Sequence, residues 1–275
     1  MTERIRQFAN DGLTFAVTDE GPVDGDVVVL LHGFPQTSRS WAAVCDRLHA
    51  SGYRTLTFDQ RGYAPTARPR GRRAYRMSRL VSDVASLADA TGGPVHLVGH
   101  DWGAAVAWST AAGRPDLIRT LTAVSVPHPR AFLGSMLISS QILRSYYIGL
   151  FQLPWLPEWM FRQPRLIDRI LGQTGMTPEQ IATVHTEIVA SGSLSSAVNW
   201  YRAMPFASPR YIRKVAAPTT YLWSTGDTAL GRRGATMCAR TVTGPYRFEI
   251  TDGSHWLPEE QPDLLHDLIV DRIAG

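Results

Sequence analysis

GHDWGAAVAW, residues 99–108, decides how the chain is read. The stretch closes the apolar run VHLVG (95–99) and opens an alanine-rich segment of helical composition. Strand, sharp turn, helix is the context of a G-x-S-x-G turn, where small flanking residues let a nucleophile stand at the tip of a strained corner. Gly99 and Gly103 supply the small positions, and Asp101 stands where the serine would be. An aspartate at a helix start commonly serves as a cap. A cap needs no small-x-Asp-x-small frame, so the frame predicts a carboxylate nucleophile.

Working outward, VVVLLHG (27–33), YRTLTFD (53–59), LTAVSVP (121–127), TTYLWSTGD (219–227) and YRFEITDG (246–253) join VHLVG as strands. Their nearly continuous apolar runs predict a parallel sheet buried on both faces. Between them, residues 78–91 place Leu80, Val81, Val84, Leu87 and Ala88 on one helical face and stop at Gly92-Gly93. Residues 259–273 turn Leu264, Leu265, Leu268 and Ile269 inward in the same way. RIRQFA and LTFAVTDEG at the front predict an antiparallel hairpin. The class is α/β, with a mostly parallel doubly wound sheet. From His128 to Met204 the alternation stops, and PHPR and PFASPR punctuate the two ends of a helical, aromatic stretch. It predicts an inserted helical cap (lid) of residues 128–205 over a core of residues 1–127 and 206–275.

The bulk numbers fit a soluble globular chain. Of 275 residues 44% are hydrophobic and 19% charged, enough for a sizeable core. The net charge is only +4, and Lys214 is the single lysine. Arginines cluster in RPRGRRAYRMSR (68–79) without an aromatic platform or groove-reading motif, so the segment reads as a solvated loop and no nucleic-acid partner is expected. Cys45 and Cys238 match no metal spacing; they read as free buried thiols of a reducing compartment, with one disulfide as the alternative. MTERIRQFANDG lacks the apolar core of a signal peptide, and no apolar run approaches the ~20 residues that span a bilayer. The expectation is a cytoplasmic protein with no membrane span, its oligomeric state left open, a homodimer included.

Two further residues complete a constellation. Asp227 lies in WSTGDTAL (223–230) and His255 in TDGSHWLPEEQPD (251–263), each just past a strand's carboxyl end. Asp after Gly is also turn chemistry, and a lone His after a strand is usually structural. The chain order nucleophile, acid, histidine favours catalysis. With GHDWG at 99–103, HGFPQTSRSW at 32–41, DQRGYAPTARP at 59–69, PHP at 127–129 and GSHW at 253–256, essentially the whole chain resembles an α/β-hydrolase of the epoxide hydrolase and haloalkane dehalogenase group. The resemblance implies that Asp101 displaces a leaving group at an sp³ carbon, forming an ester of its own side chain. At a reference pKa of ~4 it needs no base, and the following helix favours its anion. His255 then activates water, Asp227 accepts its Nδ1–H, and the backbone N–H groups of Phe34 and Trp102 form the oxyanion hole. No cofactor or metal is called for. His32 reads as a brace for its loop.

An epoxide oxygen needs an acid, and a phenol of pKa ~10 suits the task. Family contexts of the form Y-x-x-x-F-Q and NWYR resemble Tyr147…Phe151-Gln152, with Tyr146 as a one-residue alternative, and Asn199-Trp200-Tyr201-Arg202. The implied reaction turns a small hydrophobic epoxide into a vicinal diol. Haloalkane dehalogenation by the same triad is the runner-up, through Trp102, although Phe34 lacks the side-chain donor that dehalogenases often carry there. A ligand-binding protein on this fold would lack a triad member, and none is missing. The apolar cap residues Trp155, Leu156, Trp159, Met160 and Phe161 predict an apolar pocket walled by Phe34, Trp102 and Trp155.

Overall fold

Among residues 3–275, which the computed structural model describes, nine strands form two sheets. Met1 and Thr2, which begin both the MTERIRQFANDG stretch and the expected 1–127 core segment, lie outside them. β1 (Gln7–Asn10) and β2 (Leu13–Ala16) pair antiparallel. Asp11 and Gly12 between them both have positive φ, the backbone of a two-residue hairpin turn. The remaining strands are β3 (Thr18–Glu20), β4 (Val27–Leu31), β5 (Arg54–Thr57), β6 (Val95–His100), β7 (Ile118–Val124), β8 (Thr219–Ser224) and β9 (Tyr246–Thr251). They form one sheet in the order β3-β5-β4-β6-β7-β8-β9. Only β3 runs antiparallel to its neighbour. The expected front hairpin is therefore shorter than its sequence pattern, because the end of the second segment leaves it and joins the main sheet as β3.

Helices α1 (Ala42–Ala50), α2 (Met77–Ala90) and α3 (Trp102–Gly113) alternate with the first parallel strands. Between β7 and β8 come α4 (Pro129–Ile138), α5 (Gln141–Arg144), α6 (Tyr146–Gln152), α7 (Leu156–Phe161), α8 (Pro164–Gln173), α9 (Pro178–Val184) and α10 (Leu194–Arg202). A π-helical turn, His185–Ala190, continues α9. Short 3₁₀ turns carry the insertion on to Ile212, a few residues past its expected end. After β8 follow α11 (Arg232–Met237), α12 (Leu257–Glu260) and α13 (Pro262–Ala274).

Side chains alternate across a strand, so each of the central strands β4, β6, β7 and β8 feeds two cores. Val28, Leu30, Val98, Val124 and Leu222 pack with Trp41, Leu48, Leu265, Leu268 and Ile269 against α1 and α13. Val29, Leu31, Leu97, Ala123 and Tyr221 pack on the other face with Leu80, Val84, Leu87, Val106 and Trp108 of α2 and α3. Burial on both faces is what made the strand sequences apolar without interruption. The insertion is tied together by Arg202, whose guanidinium donates to the Phe151 and Leu153 carbonyls and to both oxygens of Glu158. It is tied to the core by the Trp200 indole N–H, which donates to the Arg61 carbonyl at 2.7 Å.

Candidate active site

The turn between β6 and α3 places Asp101 at φ +52°, ψ −121°. Its glycine frame answers a close approach of backbones. A Cβ on Gly103 would lie 2.1 Å from the Leu31 carbonyl oxygen, and one on Gly99 would lie 2.3 Å from that of Gly103. The Asp101 carboxylate does not cap α3. Its Oδ1 instead accepts the backbone N–H of Phe34 at 2.7 Å, and its Oδ2 stands 3.3 Å from His255 Nε2. The loop that presents the Phe34 N–H is braced by His32, whose Nε2 accepts from the Gln60 backbone at 3.0 Å.

On its other side the His255 ring donates Nδ1–H to Asp227 Oδ2 at 2.7 Å. The second oxygen of Asp227 accepts the N–H groups of Ala229 and Leu230, both at 2.8 Å, so the carboxylate is held by its own turn. All three side chains are buried. Burial works against the charged imidazole, but the charge of Asp227 and hydrogen bonds to both carboxylates outweigh it and hold the His255 pKa up to about 10. For Asp101 burial likewise opposes the charge, while the hydrogen bond and charge of His255 bring its pKa below the usual carboxylate value. In the free protein the pair therefore rests as carboxylate and imidazolium.

A cavity of about 190 Å³ opens beside Asp101. Trp102, Tyr147 and Tyr201 share its wall with that carboxylate, and among the described residues Asp101 is the only acidic or basic group lining it. Tyr201 on α10 packs edge-on against Trp102 and Phe34, with ring centroids 5.0 and 5.3 Å away, and Tyr147 on α6 is 6.0 Å from Tyr201. Burial, followed by nearby negative charge, raises Tyr147 above the ordinary phenol range, and burial also raises Tyr201. Tyr146, the alternative, is 67% exposed.

Two of the expected wall residues lie elsewhere. Trp155 is 80% exposed: it precedes α7 in the left-handed region, φ +63°, which turns its ring outward. Trp159 also faces outward, while Phe161 is buried. The Phe34 ring is not part of the cavity wall either, because it is wedged against Phe151, Phe161 and Tyr201. The sequence reading missed the wall contributed by Tyr75 just before α2, by Met77 and Leu80 at its start, and by Phe132 and Leu133 of α4. Of these, only Leu80 was hinted at, by the helical periodicity of α2, and it read as core. Elsewhere, Cys45 and Cys238 are free and buried, and burial pushes their thiols up to about 11 and about 12. In the arginine-rich loop, Arg72 and Arg73 stand over the Phe206 ring and Arg68 bridges the Tyr63 and Ser191 carbonyls. Among the described residues no helix is long and apolar enough to cross a membrane.

A doubly wound sheet with an aspartate on its elbow and an acid and a histidine at later strand ends defines a class. The chain belongs to the α/β hydrolase fold family, whose model matches residues 26–262. Within that superfamily it is a hydrolase grouped with the epoxide hydrolases. It is 31% identical to epoxide hydrolase 4 of Homo sapiens over 277 residues, 96% of this chain and 76% of that protein. It is 33% identical over 282 residues to the AB hydrolase superfamily protein YfhM of Bacillus subtilis (strain 168), covering 98% of each. The crystal structure of epoxide hydrolase A from Mycobacterium thermoresistibile superposes with a TM-score of 0.84 at 25% identity, over 98% of both chains.

Proposed function

We propose that the chain hydrolyses an uncharged, apolar epoxide to a vicinal diol through an ester on Asp101, with residues 128–205 as a cap that supplies the acids. The observation that carries this reading is the shared cavity wall of one carboxylate and two phenols, Asp101, Tyr147 and Tyr201. An Asp101 oxygen attacks one ring carbon, the C–O bond of the ring breaks, and a phenol protonates the oxygen it releases. Phenols raised above their ordinary pKa are protonated at neutral pH, the form required. Esterification removes one of the two charges that keep His255 protonated. Its pKa then falls, the released proton restores the phenol, and the neutral ring becomes a base. His255 takes a proton from water as the water oxygen bonds to the ester carbonyl carbon. The N–H of Phe34, already aimed at Asp101, and that of Trp102 at the start of α3 stabilise the oxyanion. Collapse breaks the acyl C–O bond, the diol leaves with the proton from His255, and the new Asp101 carboxyl returns a proton to the ring.

The test is intact-protein and peptide mass spectrometry of His255→Gln after exposure to panels of epoxides and haloalkanes. Loss of the base traps the ester. A gain of the whole substrate mass on the Asp101 peptide is the expected result. A gain of substrate less hydrogen halide would instead support dehalogenation, the second reading, which the Trp102 ring on the cavity wall favours. An unmodified Asp101 across both panels overturns covalent catalysis here.

A further inference from the structure

Three strand ends converge on the loop that carries His255. His100, the last residue of β6, is 2.8 Å through its Nε2 from the His255 carbonyl oxygen, and as donor it fixes the ring tautomer. Ser125, just past β7, donates its hydroxyl to the same oxygen at 3.1 Å. Ser224, the last residue of β8, donates to the preceding carbonyl, that of Ser254, at 2.6 Å. All three side chains are fully buried.

Two of these contacts are held at a cost to the fold. Burial and the neighbouring His255 keep the His100 ring neutral, with a pKa of about 4, and its Nδ1 is buried with no partner among the described residues. An unmet polar atom in the interior destabilises the folded state. Ser125 has φ +67°, a region that residues other than glycine rarely occupy, and its own carbonyl is locked there by the Tyr221 hydroxyl at 2.8 Å. Strained backbone of this kind persists where its surroundings over-determine it, and it clusters at functional sites. Here both costs fall on one carbonyl oxygen, that of the residue whose imidazole stands 3.3 Å from Asp101.

We propose that His100, Ser125 and Ser224 are positioning residues that grip two successive carbonyls and thereby aim the His255 ring at the Asp101 carbonyl carbon. The proposal rests on the roles given to Asp101 and His255 above. It has a kinetic signature, because ester formation uses Asp101 and the phenols whereas ester hydrolysis requires His255 to hold a water in line. A displaced ring therefore slows the second step and spares the first.

The experiment is rapid-quench mass spectrometry with styrene oxide as probe, following the Asp101 ester in wild type, Ser125→Gly, Ser224→Ala, His100→Gln and His100→Leu. Glycine tolerates the positive φ and loses the whole hydroxymethyl group, so Ser125→Gly deletes the hydrogen bond without adding backbone strain and separates positioning from folding. Loss of one hydrogen bond predicts that Ser125→Gly and Ser224→Ala each slow ester hydrolysis about 5–10-fold, with ester formation within about 2-fold of wild type. The ester then fills a larger share of the enzyme at steady state. His100→Gln, whose amide keeps a donor, retains faster hydrolysis than His100→Leu. An unchanged ester lifetime in the serine variants, or an equal fall in both steps, overturns the positioning role while leaving the covalent mechanism standing. If wild type and His255→Gln alike acquire no ester, the mechanism fails and this proposal falls with it.

Discussion

Tyr146 and Tyr147 are chain neighbours with ring centroids 6.3 Å apart, yet only Tyr147 reaches the cavity wall. Successive residues of a helix point about 100° apart, so one step along α6 separates solvent from site. The proposed chemistry follows that step. Tyr147→Phe and Tyr201→Phe are each expected to slow ester formation by about 10²-fold, the lower end for a positioned general acid, and the double variant by more. Tyr146→Phe should leave the rate unchanged. Single-turnover kinetics with a terminal epoxide separate these outcomes, and a loss of rate in Tyr146→Phe equal to that in Tyr147→Phe would reverse the assignment.

Among the elements, the β6–α3 elbow is the most constrained, because α3 starts in contact with the carbonyls that end β4. Gly103→Ala would drive a methyl to 2.1 Å from the Leu31 oxygen and 2.6 Å from that of His32, where neither partner is a flexible side chain. The expected loss is about 1–3 kcal/mol or more of stability, read from urea denaturation. Gly149→Ala in α6 is the contrast. Its added methyl meets nothing within 4 Å, and alanine should stabilise the helix by roughly 0.5–1 kcal/mol. If both substitutions prove neutral, the tight approach of α3 to β4 is wrong. The inserted helices depend on different ties: Gln152 donates to the Tyr201 carbonyl at 2.8 Å, and Arg202 of α10 reaches α6 at the Phe151 carbonyl and α7 at Glu158. These cross-links set the spacing of the two tyrosines.

At the scale of the whole molecule, charge is buried in several places and mostly paired, while buried Arg272 donates to the Thr220 hydroxyl at 2.9 Å. Arg54 grips Asp19, and Arg61 grips Asp83 with two bonds of 2.7 and 2.8 Å. The buried cluster of Asp101, His255 and Asp227 links stability to pH above neutrality. Folded His255 keeps its proton up to about pH 10, whereas an unhindered imidazole releases it near 6.5. Between those values the folded chain binds the extra proton, so this contribution is complete below pH 6.5 and is lost as the pH rises toward 10. The melting temperature of wild type, compared with that of His255→Gln, should therefore show a gap that narrows from pH 7 to pH 10. A gap that widens over that range would contradict the imidazolium at rest.

How much of this could be read in the chain depends on how local each cause is. The central strands β4, β6, β7 and β8 were legible because burial on both faces leaves a nearly unbroken apolar run, and α2 and α13 because one buried face repeats every 3.6 residues. Asp101 was legible because the crowding of its turn demands small residues two positions away on either side. Asp227 and His255 followed from chain order alone. The outward turn of Trp155 was not legible: α7 has six residues, too few for a period to tell inside from outside, and the residue before it takes a left-handed conformation. Nor was the grip on His255, whose donors at positions 100, 125 and 224 meet only when β6, β7 and β8 lie side by side. By itself the sequence determined the fold class and singled out Asp101, Asp227 and His255, since these follow from patterns within a strand, a turn or a helix and from the order of residues along the chain. Only the tertiary structure decided which tyrosine faces Asp101, which aromatic rings wall the cavity and what holds the histidine in place, because each is a distance between segments far apart in the chain.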